Sequence, residues 1–272
     1  MSLPLRNSRL KLSQGQIFWR EIGQGDALVF LHGSWSDSSQ WLPVIEQLGT
    51  EYHCFVPDLL GFGDSERPAV HYSIELQVET LAEYLESLRL RQVYLVGHSL
   101  GAWVATSYAL KYSDQVRGLV LLAPEGIQVQ KLGRRWWWAK WLMARPPLLF
   151  WLLRSLRPLA PLFGIQKRVD RALQWRRQLQ QSPVACRLLF QRRRAEIQAE
   201  QLQERLDWLK VPVIVLQSEQ DAFAAKLLSQ TYTELTPTAN WRIVPQGGVE
   251  LPLTAPAAVA QEIREFLSST SS

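Results

Sequence analysis

The sequence predicts an α/β fold: a mostly parallel central sheet covered by helices on both faces, interrupted by a helical insertion. Three observations predict it. Short apolar runs that read as buried strands alternate with segments of helical periodicity over residues 27–123 and 211–267, the pattern of βα units around a parallel sheet. One such run, Val93-Tyr94-Leu95-Val96, passes without a polar break into Gly97-His98-Ser99-Leu100-Gly101 and on into a helical stretch at 102–110. Residues 125–208 break the alternation and carry a charge balance unlike the rest of the chain.

Taken in order, residues 9–13 and 16–21 flank Gln14-Gly15 and read as an antiparallel hairpin at a sheet edge. Residues 27–31 are the first strongly apolar strand. Residues 38–48 read as a helix, with Trp41, Ile45 and Leu48 on one face. The next strand spans 52–57. Ser73 is placed to cap a helix over 73–88 whose apolar positions include Leu76, Leu81, Leu85 and Leu88. Residues 116–123, 211–217 and 241–244 supply further strands, and 256–267 a closing helix. The tail from Ser268 to Ser272 reads as disordered. Sites in such sheets lie beyond the carboxyl ends of the strands.

A chain of 272 residues, 47% of them hydrophobic, is long enough to bury one large α/β core and carry an insertion. The core is assigned to residues 1–124 and 209–272, the insertion to 125–208. Two cysteines, Cys54 and Cys186, cannot build a disulfide framework. Cys54 sits beside an apolar strand and reads as a buried thiol, which fits a reducing compartment. Residues 1–16 hold Arg6, Arg9 and Lys11 but no apolar run, so no signal peptide is expected. The expected location is cytoplasmic, with a peripheral membrane association through the insertion.

The insertion carries the charge. Residues 125–208 contain 17 Lys and Arg against 6 Asp and Glu, and the remainder 13 against 19. The pI near 9.4 therefore belongs to the insertion. Within it, Trp136, Trp137, Trp138, Trp141, Phe150 and Trp151 are interleaved with Arg134, Arg135, Lys140, Arg145 and Arg154. Those charges and Pro146-Pro147 argue against a spanning helix, which wants roughly 20 uninterrupted apolar residues. Tryptophan beside arginine is the pattern of helices that lie in a membrane interface. Two readings follow. Either residues 134–157 meet an anionic membrane surface, or the tryptophans pack inward while the arginines face water. The basic residues suit phosphates, but no nucleic-acid reader module is visible, so no nucleic-acid partner is expected.

The strand, Gly-x-Ser-x-Gly turn and helix over 93–110 resemble the nucleophile elbow of the α/β-hydrolase family. Leu31-His32-Gly33-Ser34-Trp35 is similar to that family's His-Gly turn. Residues 56–68 are similar to its Asp-x-x-Gly-x-Gly-x-Ser-x-x-Pro loop. The resemblance covers about residues 9–124 and 211–267. It implies Ser99 as nucleophile, with the N–H groups of Leu100 and Ser34 as the oxyanion hole. It implies Asp221, after the strand at 213–217, as the carboxylate that orients a base; the alternative is a surface-turn aspartate. It also implies a helical cap at 125–208, no cofactor and no metal.

The base is missing from the pattern. In the family a histidine follows the last strand, with a proline seven residues later. Here Pro256 stands seven past Val249, so Val249 occupies the histidine position. All four histidines, His32, His53, His71 and His98, precede Ser99. The other candidates for a base are His98, His32, His71 and Glu250. The resemblance then implies a degenerate triad, in a protein binding a small apolar or lipid-like ester, or an aromatic one, at or near a membrane surface. The alternatives are an active serine hydrolase of lipid or isoprenoid esters with a non-standard base, and a non-catalytic scaffold that binds a protein partner.

Overall fold

The computed structural model describes residues 4–129, 132, 135–160, 163–245, 247–248 and 250–270. Its strands are β1 (Arg6–Lys11), β2 (Gln16–Ile22), β3 (Ala27–Leu31), β4 (His53–Pro57), β5 (Val93–His98), β6 (Val116–Leu122), β7 (Val213–Ser218) and β8 (Ala239–Val244). They form one sheet in the order β1-β2-β4-β3-β5-β6-β7-β8. β2 runs antiparallel to both neighbours, and every pair from β4 across to β8 is parallel. The helices are α1 (Leu42–Leu48), α2 (Ile74–Ser87), α3 (Leu100–Lys111), α4 (Trp137–Leu142), α5 (Leu148–Leu156), α6 (Gln166–Gln181), α7 (Pro183–Cys186), α8 (Arg194–Ala199), α9 (Phe223–Leu235), α10 (Leu251–Thr254) and α11 (Pro256–Thr270). The chain divides into two compact units, Met1–Val129 with Glu200–Ser272, and Gln130–Ala199.

In the first unit the strands have period two. Leu28, Phe30, Val56, Tyr94, Val96, Val120, Leu122, Ile214 and Leu216 share one core cluster with Val44, Ile45 and Leu48 of α1 and Val259, Ile263 and Phe266 of α11. Each such side chain, fully buried, contributes about 1.5–3 kcal/mol. The opposite face is covered by α2 and α3, which pack together. There Tyr232 of α9 donates to Thr106 of α3 at 2.6 Å. With both faces covered, β5 and β7 are buried at every position, as parallel strands must be. α2 starts as expected: Ser73 Oγ accepts the Leu76 N–H at 2.9 Å, and Ile74, Val78, Leu81 and Leu85 point inward.

Three departures have local causes. The helix expected over 38–48 splits into a 3₁₀ turn at Ser38–Trp41, capped by Asp37, and α1. Pro43 has no N–H to donate, so it is accommodated only where a helix begins anew. The tail expected to be disordered from Ser268 continues α11 to Thr270. Ser268, Ser269 and Thr270 donate their hydroxyls to the carbonyls of Glu265, Phe266 and Leu267 at 2.7–3.0 Å. Ser271 and Ser272 lie outside the described residues. α9, for which the sequence reading offered no element, buries Leu228, Ser229 and Tyr232.

The second unit holds α4 to α8. Phe150, Leu153 and Ile165 pack on Ala160, Val169 and Leu173, joining α5 to α6. The Arg176 guanidinium lies 4.4 Å from the Phe150 ring centroid and donates to the Leu142 carbonyl. Trp136 stacks on Phe190 at 5.5 Å. Arg134 lies outside the described residues. Among the described residues no helix is long and apolar enough to cross a membrane.

Candidate active site

β5 delivers the chain to Ser99 at φ 52° and ψ −108°, a left-handed conformation that serine seldom adopts. Two close backbone approaches enforce it. A Cβ on Gly101 would lie 2.2 Å from the Leu31 carbonyl oxygen, and one on Gly97 would lie 2.5 Å from Ala102 Cα. Only glycine fits at either position. The Ser99 N–H donates to the Leu122 carbonyl at 2.9 Å. The Ser99 carbonyl accepts the N–H groups of Trp103 and Glu125, each at 3.2 Å. The turn is thus bonded to β6, to the loop after it and to α3. It places Ser99 at the carboxyl end of the sheet and at the positive end of the α3 dipole. The N–H of Leu100, first in α3, has no intrahelical acceptor.

The loop after β3 is held from behind. Gln40 Oε1 accepts the Gly33 N–H at 3.0 Å, and Gln40 Nε2 donates to His98 Nδ1 at 3.2 Å. His98 therefore carries its hydrogen on Nε2. Burial lowers its pKa to about 4, so it is neutral. His32 Nε2 accepts the Leu59 N–H at 3.0 Å, which leaves Nδ1 to donate to the Gly33 carbonyl at 2.9 Å. Burial lowers its pKa as well, against the opposing charge of Asp58. Asp58 accepts the N–H groups of Ser38 at 2.6 Å and Asp64 at 2.7 Å. The glycine-bearing loops after β3, β4 and β5 are in this way one hydrogen-bonded body. Ser34 sits in it, 2% exposed, and its Oγ has no partner among the described residues.

The other side of the site is built differently. Asp221 follows β7 and is 9% exposed. Gln217 Nε2 donates to its Oδ2. Burial pushes the Asp221 carboxyl up to about 6; the charge of Glu250 adds to this and Lys226 opposes it. Ser218 Oγ donates to the Gly247 carbonyl, and the Gly248 N–H donates to Thr254 Oγ1 at 2.9 Å. Val249, which the family resemblance puts at the histidine position, lies outside the described residues. Glu250 precedes α10 and is exposed, with partial desolvation raising its carboxyl.

The two remaining histidines, of which His71 is the candidate base, lie elsewhere in the unit. His53 opens β4, the end of the sheet opposite Ser99. His71 lies in an exposed loop ahead of Ser73. Three residues escaped the sequence reading. Gln40 ties Gly33 to His98, Gln217 holds Asp221, and Glu125 bonds through its backbone to Ser99. Gln40 closes the polar stretch 36–40 and Gln217 opens the polar stretch 217–221, so neither carries a local signal that singles it out.

A serine held in a strained turn between a buried parallel strand and a helix defines the hydrolase class of α/β folds. The model of the alpha/beta hydrolase family matches residues 28–262, and the chain belongs to that family. A 2-hydroxy-6-oxo-2,4-heptadienoate hydrolase of Pseudomonas putida is 33% identical over 117 residues, 40% of this chain and 41% of that protein. The 1-acylglycerol-3-phosphate O-acyltransferase ABHD5 of Mus musculus is 36% identical over 126 residues, 43% of this chain and 36% of that protein. The chain thus spans about two fifths of the length of the curated relatives it matches. Among solved structures, a bacterial membrane phospholipase A superposes with a TM-score of 0.75 at 19% identity, over 98% of this chain and 87% of that one. An esterase from Thermogutta terrifontis does so with a TM-score of 0.71 at 21% identity, over 98% and 100%. At these identities the likeness is one of fold.

Proposed function

We propose that this protein uses the hydrolase fold with a degenerate triad to bind a lipid-like or aromatic ester drawn from a membrane surface, and that it turns the ester over slowly. The carrying observation is the absence of a base. No histidine follows Ser99 in the sequence, and the two histidines of the neighbouring loops are neutral, His98 accepting from the Gln40 side chain and His32 bridging two backbone groups. In this reading the Ser99 hydroxyl meets the ester carbonyl, and the Leu100 and Ser34 N–H groups hold the oxygen that becomes negative. Asp221 is the orienting carboxylate left without its imidazole, because Val249 supplies none. Loss of a triad member costs on the order of 10⁴–10⁶ in turnover, while binding and the oxyanion hole retain roughly 10³–10⁴ over water. The relative named for acylglycerol-phosphate chemistry favours a lipid-like ligand.

One observation favours a second reading. Glu250 adjoins the vacant position and its charge reaches Asp221, so two carboxylates share that side of the site. Glu250 as base would make the protein an active hydrolase with a non-standard proton acceptor.

Restoring the imidazole separates the two. Val249→His should raise hydrolysis of a p-nitrophenyl ester by at least about 100-fold. Labelling of Ser99 by a fluorophosphonate should accelerate in step. No gain in a folded variant, or rapid labelling of the unmodified protein that Glu250→Gln abolishes, would overturn the first reading.

A further inference from the structure

The second unit presents an apolar surface that its own core does not use. On α5 one face is spent on packing: Phe150 and Leu153 lie against α6. The other face carries Leu148, Trp151, Leu152 and Leu156 at spacings of three, four and eight residues, one stripe along a helix. These are 60%, 55%, 53% and 38% exposed. α4 repeats the division. Ala139 and Leu142 are buried, whereas Trp137, Trp138 and Trp141 are 47%, 58% and 49% exposed. Their rings meet edge to face, Trp137 with Trp138 at 4.8 Å and with Trp141 at 5.9 Å, in one aromatic cluster. α4 and α5 are in contact with each other and with α6.

The charge around this surface names its occupant. Residues 130–199 contain 16 Lys and Arg against 2 Asp and Glu, a balance of +14; the rest of the chain contains 14 against 23. Both acids of the unit are engaged, Asp170 with Arg157 at 3.1 Å and Glu196 with Arg193 at 3.9 Å. Lys140 and Arg145 are exposed beside the aromatic cluster. A protein partner for such a face would need a dense acidic surface with apolar ridges. A bilayer containing anionic lipid supplies negative charge and apolar depth together, and indole rings favour its headgroup level. The helices are too short to span, so the geometry is that of helices lying in the plane of the interface.

We infer that the α4–α5 face is an anionic-bilayer docking surface, with Trp137, Trp138, Trp141 and the Leu148–Trp151–Leu152 stripe entering the interface and the basic side chains engaging phosphates. This rests on the proposed function for the source of the ester, and it names the surface that delivers the protein to it. Each engaged cation strengthens binding by roughly five-fold at low salt. The apolar side chains make the remainder insensitive to salt.

Sedimentation of the full chain with vesicles tests the inference. Binding to phosphatidylcholine vesicles containing about 30% phosphatidylglycerol should exceed binding to phosphatidylcholine alone by at least about 10-fold. It should weaken when salt is raised from about 0.1 M to about 0.5 M. Trp137→Ser/Trp138→Ser/Trp141→Ser and, independently, Lys140→Glu/Arg145→Glu should each weaken it by about 10-fold or more; all five side chains are exposed, so the fold should survive. Quenching of tryptophan fluorescence by brominated lipid should be lost in the triple variant. Equal binding to neutral vesicles, or no loss in either variant, overturns the inference. So does a concentration-dependent dimer, removed by the triple variant, with no vesicle binding: the face would then pair with a second copy. Fluorophosphonate labelling of Ser99 without vesicles should be unchanged in both variants. Failure of the ester site and failure of the docking face are read separately in this way.

Discussion

The two sides of the site are built to different standards. On the side of Ser99, three loops are joined through Gln40, His98, His32 and Asp58, and two glycines leave the turn no alternative path. On the side of Asp221, a buried carboxylate holds one glutamine and feels the charge of a second carboxylate, Glu250. The first side is constrained from several directions at once. The second stores unfavourable electrostatics that an imidazolium would relieve. The lesson is that one site can combine a side bonded from several directions with a side resting on a single buried carboxylate, because each is held by its own loops.

The contrast can be broken at several points. The largest effect belongs to Gly101→Ala, whose methyl group would run into the Leu31 carbonyl. It should cost about 3–5 kcal/mol in chemical denaturation; near-wild-type stability would mean that the turn can relax. Gln40→Leu removes the acceptor of the Gly33 N–H and the donor to His98, both buried. A loss of about 2–4 kcal/mol is expected, together with slower labelling of Ser99.

Asp221→Asn should act in the opposite direction, and only in part of the pH range. The folded carboxyl titrates near 6, above its ordinary value of 3.8. A raised acid destabilises the fold where it is ionised, so the penalty is absent below about pH 4 and complete above about pH 6. Asparagine keeps an acceptor for Gln217. The variant should therefore gain about 1–2 kcal/mol at pH 7–8 and nothing at pH 4. A pH-independent change would place Asp221 in an ordinary polar turn. The smallest effect is Ser99→Gly, which relieves the positive φ and should stabilise the fold by up to about 1 kcal/mol while abolishing labelling.

Much of the fold was legible because its signals are local. The turn at 97–101 is readable, since a serine between two glycines, after a buried strand and before a helix, has few other uses. Ser73 as a helix cap needs only its own three following residues. Gln40 was not legible: its partner His98 is 58 positions away, and no local pattern announces such a pair. The fate of each tryptophan in 136–141 was not legible either. Trp136 stacks on Phe190, while Trp137, Trp138 and Trp141 remain exposed. α9 was passed over because its apolar positions are diluted by Thr, Ser and Gln.

By itself, the sequence determined the succession of the strands, the one place where a serine could be presented, the charge of the insertion, and the lack of any histidine beyond residue 98. These follow from residue identity, spacing and count. Only the tertiary structure decided which polar groups meet across the sheet, that His98 bonds to the Gln40 side chain while His32 bridges two backbone groups, and which aromatic rings stay exposed. Those depend on distances between residues remote in the chain, and packing in three dimensions sets them.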